Sequence, residues 1–256
     1  MNKNEIIKAK GRIFTGNLPD GLKIPTDAFK QRMLQEYGAM FVAKGGAVPP
    51  NKIVFNDEAD VSAFQSKVAK AKENIGGFKL ELQASALKKL IAAINKAEQN
   101  NLTITPRGMD SAKRSYSETV GLWASRVNPG LTHWVETGKL SETEAAKIRA
   151  LSPFNQVPKI FELESEGMFF SKDLSKTIVY SVAPPGTSQH LSMLAFDVSE
   201  HENSEVREIL ARYGWLQTVV SDLPHFTYLG VAESELSGLG LKKVNDGGRT
   251  FWLPDL

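Results

Sequence analysis

The most regular apolar pattern in the chain runs from Leu80 to Asn100. Leu80, Ala84, Leu87, Leu90, Ile91, Ile94 and Ala97 recur at near-helical spacing, with lysines on the other face, and predict an amphipathic helix. Asp27 to Val42 predicts another, set in a stretch rich in turn formers: Gly16-Asn17, Pro19, Gly21, Pro25, Gly45-Gly46 and Pro49-Pro50. Asp60 to Asn74 predicts a third, closed by Gly76-Gly77. Leu102 to Thr105 predicts a short strand that stops at Pro106. Ser111 to Val127 predicts a helix ending before Asn128-Pro129-Gly130, and Ser141 with Glu144 three residues on forms the capping box of the next.

The second half changes character. Thr177–Val182, Leu194–Val198, Gln217–Val220 and His225–Leu229 predict strands, and Val206–Tyr213 a short helix. Lys242–Val244 and Thr250–Trp252 predict a terminal hairpin across Asn245-Asp246-Gly247-Gly248. Helices first and short strands later indicate an α+β fold, a small antiparallel sheet with flanking helices, over a doubly wound parallel sheet. There is no internal repeat. Residues 1–75 are expected to form an N-terminal extension packed on a domain of residues 76–256.

Composition narrows the function. The 256 residues suffice for a buried core, and 41% hydrophobic with 23% charged residues is ordinary for a globular chain. A net charge of +2 and the lack of any long basic run give no indication of nucleic-acid binding. No stretch approaches the roughly 20 apolar residues of a transmembrane helix. Met1 to Phe14 has no apolar core and does not read as a signal peptide. The absence of cysteine excludes disulfides, thiolate zinc sites and a cysteine nucleophile together.

Candidate chemistry lies in two segments. In the first, a turn-rich approach, Pro184-Pro185-Gly186-Thr187-Ser188-Gln189, delivers His190, and Asp197 follows seven residues later inside an apolar strand. A charged residue there is costly unless paired or bound to a metal. In the second, Ser221-Asp222-Leu223-Pro224-His225, a histidine opens a strand three residues after a carboxylate. Two imidazoles and one carboxylate make a three-ligand set for Zn²⁺ with a fourth position for water. The spacing alone equally allows His190 as a loop cap, Asp197 paired with a lysine or arginine, and His225 as a satisfied strand residue.

The run Ser188-x-His190-x-x-x-x-Ala195-x-Asp197 resembles the Ser-x-His-x-x-Gly-x-Ala-x-Asp signature of zinc D-alanyl-D-alanine metallopeptidases, whose superfamily includes lysostaphin-type enzymes and the hedgehog domain. Asp222-x-Pro224-His225-Phe226 resembles that family's closing motif in the form found in phage endolysin relatives. Ser111-Ala112-Lys113-Arg114-Ser115-Tyr116 resembles its Ser-Gly-Tyr-Arg-Ser-Tyr segment. The likeness covers roughly residues 80–235. It implies a hedgehog/D-Ala-D-Ala-peptidase-like fold, Zn²⁺ on His190, Asp197 and His225, and Asp222 as general base and then acid. It implies Arg114 for the oxyanion or substrate carboxylate and Ser188 for substrate binding; the residues alone also allow Arg114 as a solvated helix residue and Ser188 as a turn former. The implied activity is a carboxypeptidase removing the terminal D-Ala of a peptidoglycan stem peptide, in the periplasm or outside the cell. An L-Ala-D-Glu endopeptidase, a D-Ala-D-Ala dipeptidase and a non-catalytic wall-binding module are the alternatives. Two positions depart from the pattern: Met193 replaces a glycine, and Asp222 replaces the commoner glutamate. His201 reads as a surface loop residue, His133 as a helix-packing residue, and Arg107 as the competitor of Arg114.

Overall fold

The computed structural model describes residues 13–256; most of the Met1–Phe14 segment lies outside the described residues. The chain folds into two compact units. The first takes the chain up to Ile53, Ala63–Arg114 and Gln189–Leu256; the second takes Val54–Ser62 and Ser115–Ser188. The fold is α+β, with small sheets that are all antiparallel. No helix among the described residues is long and apolar enough to cross a membrane.

After a helical stretch at residues 13–16, the first unit has α1 (Ala28–Tyr37), capped by the Asp27 side chain on the Lys30 N–H, and a 3₁₀ turn, Gly38–Val42. Helix α2 (Glu58–Lys67) is divided between the units. It ends sooner than the expected Asp60–Asn74, because Lys70–Ile75 is a strand, β1, paired with β2 (Phe78–Gln83). Gly76 and Gly77 have φ of 58° and 86°. Two consecutive positive φ values make the primed two-residue turn that matches strand twist, so this pair closes a hairpin and not a helix. The predicted Leu80 helix accordingly starts later, as α3 (Ala84–Gln99). It buries Ala86, Leu87, Leu90, Ala93 and Ala97. It ends in a Schellman motif: Asn101 takes φ 57°, and the Leu102 and Asn101 N–H groups return to the Ala97 and Glu98 carbonyls. Leu102–Thr105 forms no strand; only Pro106 makes an isolated bridge, to Val198.

A three-stranded sheet centres this unit in the order β3 (Ala195–Asp197), β5 (His225–Tyr228), β4 (Trp215–Leu216). The last is shifted from the expected Gln217–Val220. Every residue of β5 is buried. Helix α7 (Ser204–Arg212) follows β3, held by the Asn203 cap. The predicted terminal hairpin is present as β6 (Leu241–Asp246) and β7 (Arg249–Pro254), closed by Gly247-Gly248, with Val244 opposite Phe251. Met33, Leu34, Phe41, Leu82, Phe196, Trp215, Phe226 and Phe251 form the core.

The second unit is helical: α4 (Tyr116–Glu136), α5 (Glu142–Arg149) and α6 (Pro153–Ser165). Helix α4 starts at the capping box of Ser115 and Glu118, later than the expected Ser111. It also runs through Pro129 instead of stopping before it. A proline cannot donate to the carbonyl one turn back, Ser125; the Arg126 guanidinium reaches that oxygen at 3.5 Å. Gly130 fits because a Cβ there would lie 2.4 Å from the Phe170 ring. Trp123 donates to Gln156 at 2.8 Å inside this core. Thr177–Val182 is not a strand but contains a 3₁₀ turn, Ile178–Tyr180, whose Ile178 N–H is bound by Glu164.

Candidate metal centre

Asp197 and His225 are cross-strand partners in the β3–β5 ladder. His190 comes from the 3₁₀ turn Gln189–Ser192 that precedes β3. The three are buried or nearly so, at 2%, 9% and 5% exposure for His190, Asp197 and His225. Each offers one ligand atom, and these atoms lie within 4.8 Å of one another.

The protons can be assigned from the surrounding groups. His190 Nδ1 lies 2.6 Å from the Ala112 carbonyl oxygen, which only accepts, so Nδ1 carries a proton. Gln189 donates its amide to the Tyr37 carbonyl at 2.8 Å, which leaves its Oε1 to accept from His225 Nε2 at 2.9 Å. Thr227, two residues along the same face of β5, donates to that oxygen as well. Both imidazoles therefore hold a proton on the side away from the centre and turn their second nitrogen inward. His190 Nε2 stands 3.3 Å and His225 Nδ1 3.2 Å from the same atom, Asp197 Oδ1. His190 Nε2 is buried and has no hydrogen-bond partner.

Three acceptors facing one another repel unless a proton or a cation lies among them. Burial, outweighing the attraction of Asp197, lowers the pKa of His190 and disfavours a proton there. For Asp197, burial opposes ionisation, but attraction and hydrogen bonding from His190 and His225, when a proton lies on their inner nitrogens, hold its carboxyl well below the usual carboxylate range. The group can hold a metal ion. Ligands about 2.05 Å from a tetrahedral zinc are about 3.3 Å apart, close to both observed spacings.

Arg114 closes the other side of Asp197. Its Nη2 donates to Asp197 Oδ2 at 2.8 Å, and its Nε donates to the Asp110 carbonyl at 2.9 Å. Arg107 contributes backbone instead, donating its N–H to the Asp197 carbonyl at 3.2 Å. The segment Arg107–Arg114 is thus a cradle: its Ser111 carbonyl accepts from the Asp197 N–H at 2.9 Å and its Ala112 carbonyl from His190. That is why Ser111–Arg114 does not join α4.

Asp222 is exposed in the turn before β5, where its carbonyl accepts from the His225 N–H at 3.1 Å. Its carboxylate is outside the three-residue group. Ser188 is buried and belongs to the second unit. His133 lies in α4, edge-on to Trp134, and His201 is half-buried beside Arg249; neither joins the group.

The chain was compared with known proteins. No protein-family profile matches it, and no curated protein does. Two solved structures are similar. One is the vancomycin-resistance D,D-pentapeptidase VanY from a VanB-type cassette, a glutamate-to-alanine mutant in complex with Zn(II): 15% identity, 64% of this chain and 82% of that one, TM-score 0.38. The other is VanYB in complex with D-alanine-D-alanine: 15% identity, 68% and 86%, TM-score 0.41.

Three buried glutamines support the centre and carried no motif signal. Gln189 fixes the His225 tautomer. Gln65 Nε2 donates to the Arg114 and Leu191 carbonyls at 2.9 and 3.0 Å. Gln83 Nε2 donates to the Ser192 carbonyl at 2.8 Å. The available signal was polar residues in otherwise buried segments. Met193 has φ 58°, in the left-handed region, and its side chain is fully buried. Glycine adopts that conformation freely, and methionine holds it at a cost of about 1–2 kcal/mol.

Proposed function

We propose that this chain is a zinc-dependent D-alanyl-D-alanine carboxypeptidase that hydrolyses the terminal D-Ala of peptidoglycan stem peptides. The observation that carries the reading is the pair of buried imidazoles whose inner nitrogens converge on one carboxylate oxygen. The ordered motifs around Arg114, His190–Asp197 and Asp222–His225 give it its substrate class.

Zinc held by His190, Asp197 and His225 would supply Lewis acidity and lower the pKa of water to roughly 7. Asp222 takes the proton of the attacking water and passes it to the leaving amine. Its exposed carboxylate suits it to exchange protons. The Arg114 guanidinium, anchored on Asp197 and Asp110, stabilises the developing oxyanion or binds the substrate carboxylate. Ser188 adds a hydroxyl for that carboxylate. Residues 1–75 are read as an extension packed on the catalytic part, with a hedgehog/D-Ala-D-Ala-peptidase-like fold for the rest, and wall substrates place the protein in the periplasm or outside the cell.

The Asp222-Leu223-Pro224-His225-Phe226 form of the closing motif favours a second reading with the same centre, an endopeptidase cutting between L-Ala and D-Glu. Incubating the zinc-loaded protein with a muropeptide and reading the products by mass spectrometry decides. Loss of one alanine supports the carboxypeptidase, an internal cut the endopeptidase, and an unchanged muropeptide overturns both.

A further inference from the structure

Behind the sheet that carries the metal ligands lies a cleft of about 640 Å³, wholly within the first unit. That volume falls in the range of small-molecule sites, roughly 300–1,000 Å³. Side chains alternate along a strand, so Phe226, between His225 and Thr227, faces away from the metal centre and lines this cleft. Leu216 and Trp252 add apolar wall.

The cleft gathers four cations: Arg207, Arg212, Lys243 and Arg249. Three have a carboxylate. Arg212 lies 3.5 Å from Glu208, Lys243 lies 3.8 Å from Glu233, and Arg249 pairs with Glu202. Arg207 forms no ion pair among the described residues. Its Nη1 donates instead to the His201 and Glu202 carbonyls at 2.9 and 2.7 Å. Arg249 Nη1 donates to the same His201 oxygen at 2.9 Å. Two guanidinium groups are thus held on one carbonyl at the wall of a cleft, with Glu202 paired to Arg249 and Glu208, the partner of Arg212, the other carboxylate near Arg207. Holding like charges together costs free energy unless an anion joins them. Burial and the neighbouring Arg249 disfavour the charge on Arg207 more than the nearby Glu202 and Glu208 favour it. A guanidinium fork suits a carboxylate or phosphate in bidentate contact.

We propose that this cleft is a second ligand site, independent of the metal centre, which binds a carboxylate or phosphate group through Arg207. The test follows the Trp252 indole N–H by NMR in the zinc-loaded full chain, at constant ionic strength; that group bonds Glu233 at the cleft. Inorganic phosphate and glucuronate are titrated separately, with glucose as the uncharged control. A saturable shift with either anion and none with glucose supports the site, and the anion that saturates identifies the preferred group. Arg207→Gln should weaken that binding at least tenfold, and Arg207→Lys, which keeps the charge but loses the fork, by less. Failure of both anions to move Trp252 saturably, or equal binding by wild type and both variants, would overturn the proposal.

Discussion

Asp197 and His225 lie 28 positions apart in the chain, yet face each other across the β3–β5 ladder with His225 Nδ1 3.2 Å from Asp197 Oδ1. A side chain and its cross-strand partner project from the same face of a sheet. Pairing these strands therefore presents an acid and an imidazole side by side before any ion is considered. His190 then needs only a short turn ahead of β3 to bring the third atom. Thr227, on the same face as His225, meets Gln189 and joins the outer layer of the centre.

Gln189 is expected to set the affinity of the centre for metal. Replacing it by leucine removes the acceptor of the His225 Nε2 proton and frees the ring to rotate or change tautomer. Loss of such an outer partner typically lowers metal affinity 10–100-fold. Gln189→Glu keeps an acceptor at that place and should bind metal more tightly than Gln189→Leu. Competition with a zinc chelator measures both, and equal affinities for wild type and Gln189→Leu would remove the role assigned to this residue.

Met193 allows a comparison in which glycine should outdo alanine. Both Met193→Ala and Met193→Gly empty the same buried site, at about 2–5 kcal/mol for the alanine variant. Alanine retains a Cβ at φ 58°, whereas glycine does not. Met193→Gly should then be the more stable of the two by about 1 kcal/mol, the reverse of their usual order in regular structure. Denaturant midpoints of the two variants decide the sign.

The sequence made the strands at Leu194–Val198 and His225–Leu229, the terminal hairpin and the Ser141 cap legible because each has a local cause: an apolar run, paired glycines, or a hydroxyl three residues before a glutamate. It misled where one local signal serves two structures. Gly76-Gly77 reads as a helix end and as a hairpin turn, and only the pairing of Lys70–Ile75 with Phe78–Gln83 chooses between them. Pro129 reads as a helix stop, but Arg126 reaches the carbonyl it leaves free, and packing of Trp123, Val127 and Leu131 carries the helix through. The three candidate ligands were legible through their motifs. The glutamines and the Ala112 carbonyl behind them were not, since their roles depend on contacts distant in the chain: Gln65 lies 126 positions from Leu191, and Gln83 lies 109 from Ser192.

In the second unit, Asp173 accepts hydrogen bonds from the Ser171 and Ser175 hydroxyls, both at 2.7 Å. The Ser171 bond, then those from Ser175, pull its pKa down from 3.8 to about 2. Because the folded value is the lower one, the unfolded chain binds more protons in this interval. The contribution to stability is therefore complete above the ordinary value of about 3.9 and lost as pH falls towards 2. Asp173→Asn should remove that part of the acid dependence. An NMR titration of the Asp173 carboxyl carbon giving an ordinary midpoint would contradict the assignment.

Asp222 separates binding from turnover. It is exposed and stands outside the three-atom group, so Asp222→Ala should leave metal content unchanged and alter stability by no more than about 0.5 kcal/mol. In its proposed role of moving the proton from water to the leaving amine, it should contribute about 10²–10⁴-fold to kcat. His225→Ala, by contrast, removes a ligand and should abolish metal binding and turnover together. Metal content and muropeptide hydrolysis measured on both variants distinguish the two roles. An Asp222→Ala protein that keeps its zinc and its full rate would mean that another group handles the proton, and the assignment of the base would have to move along the chain.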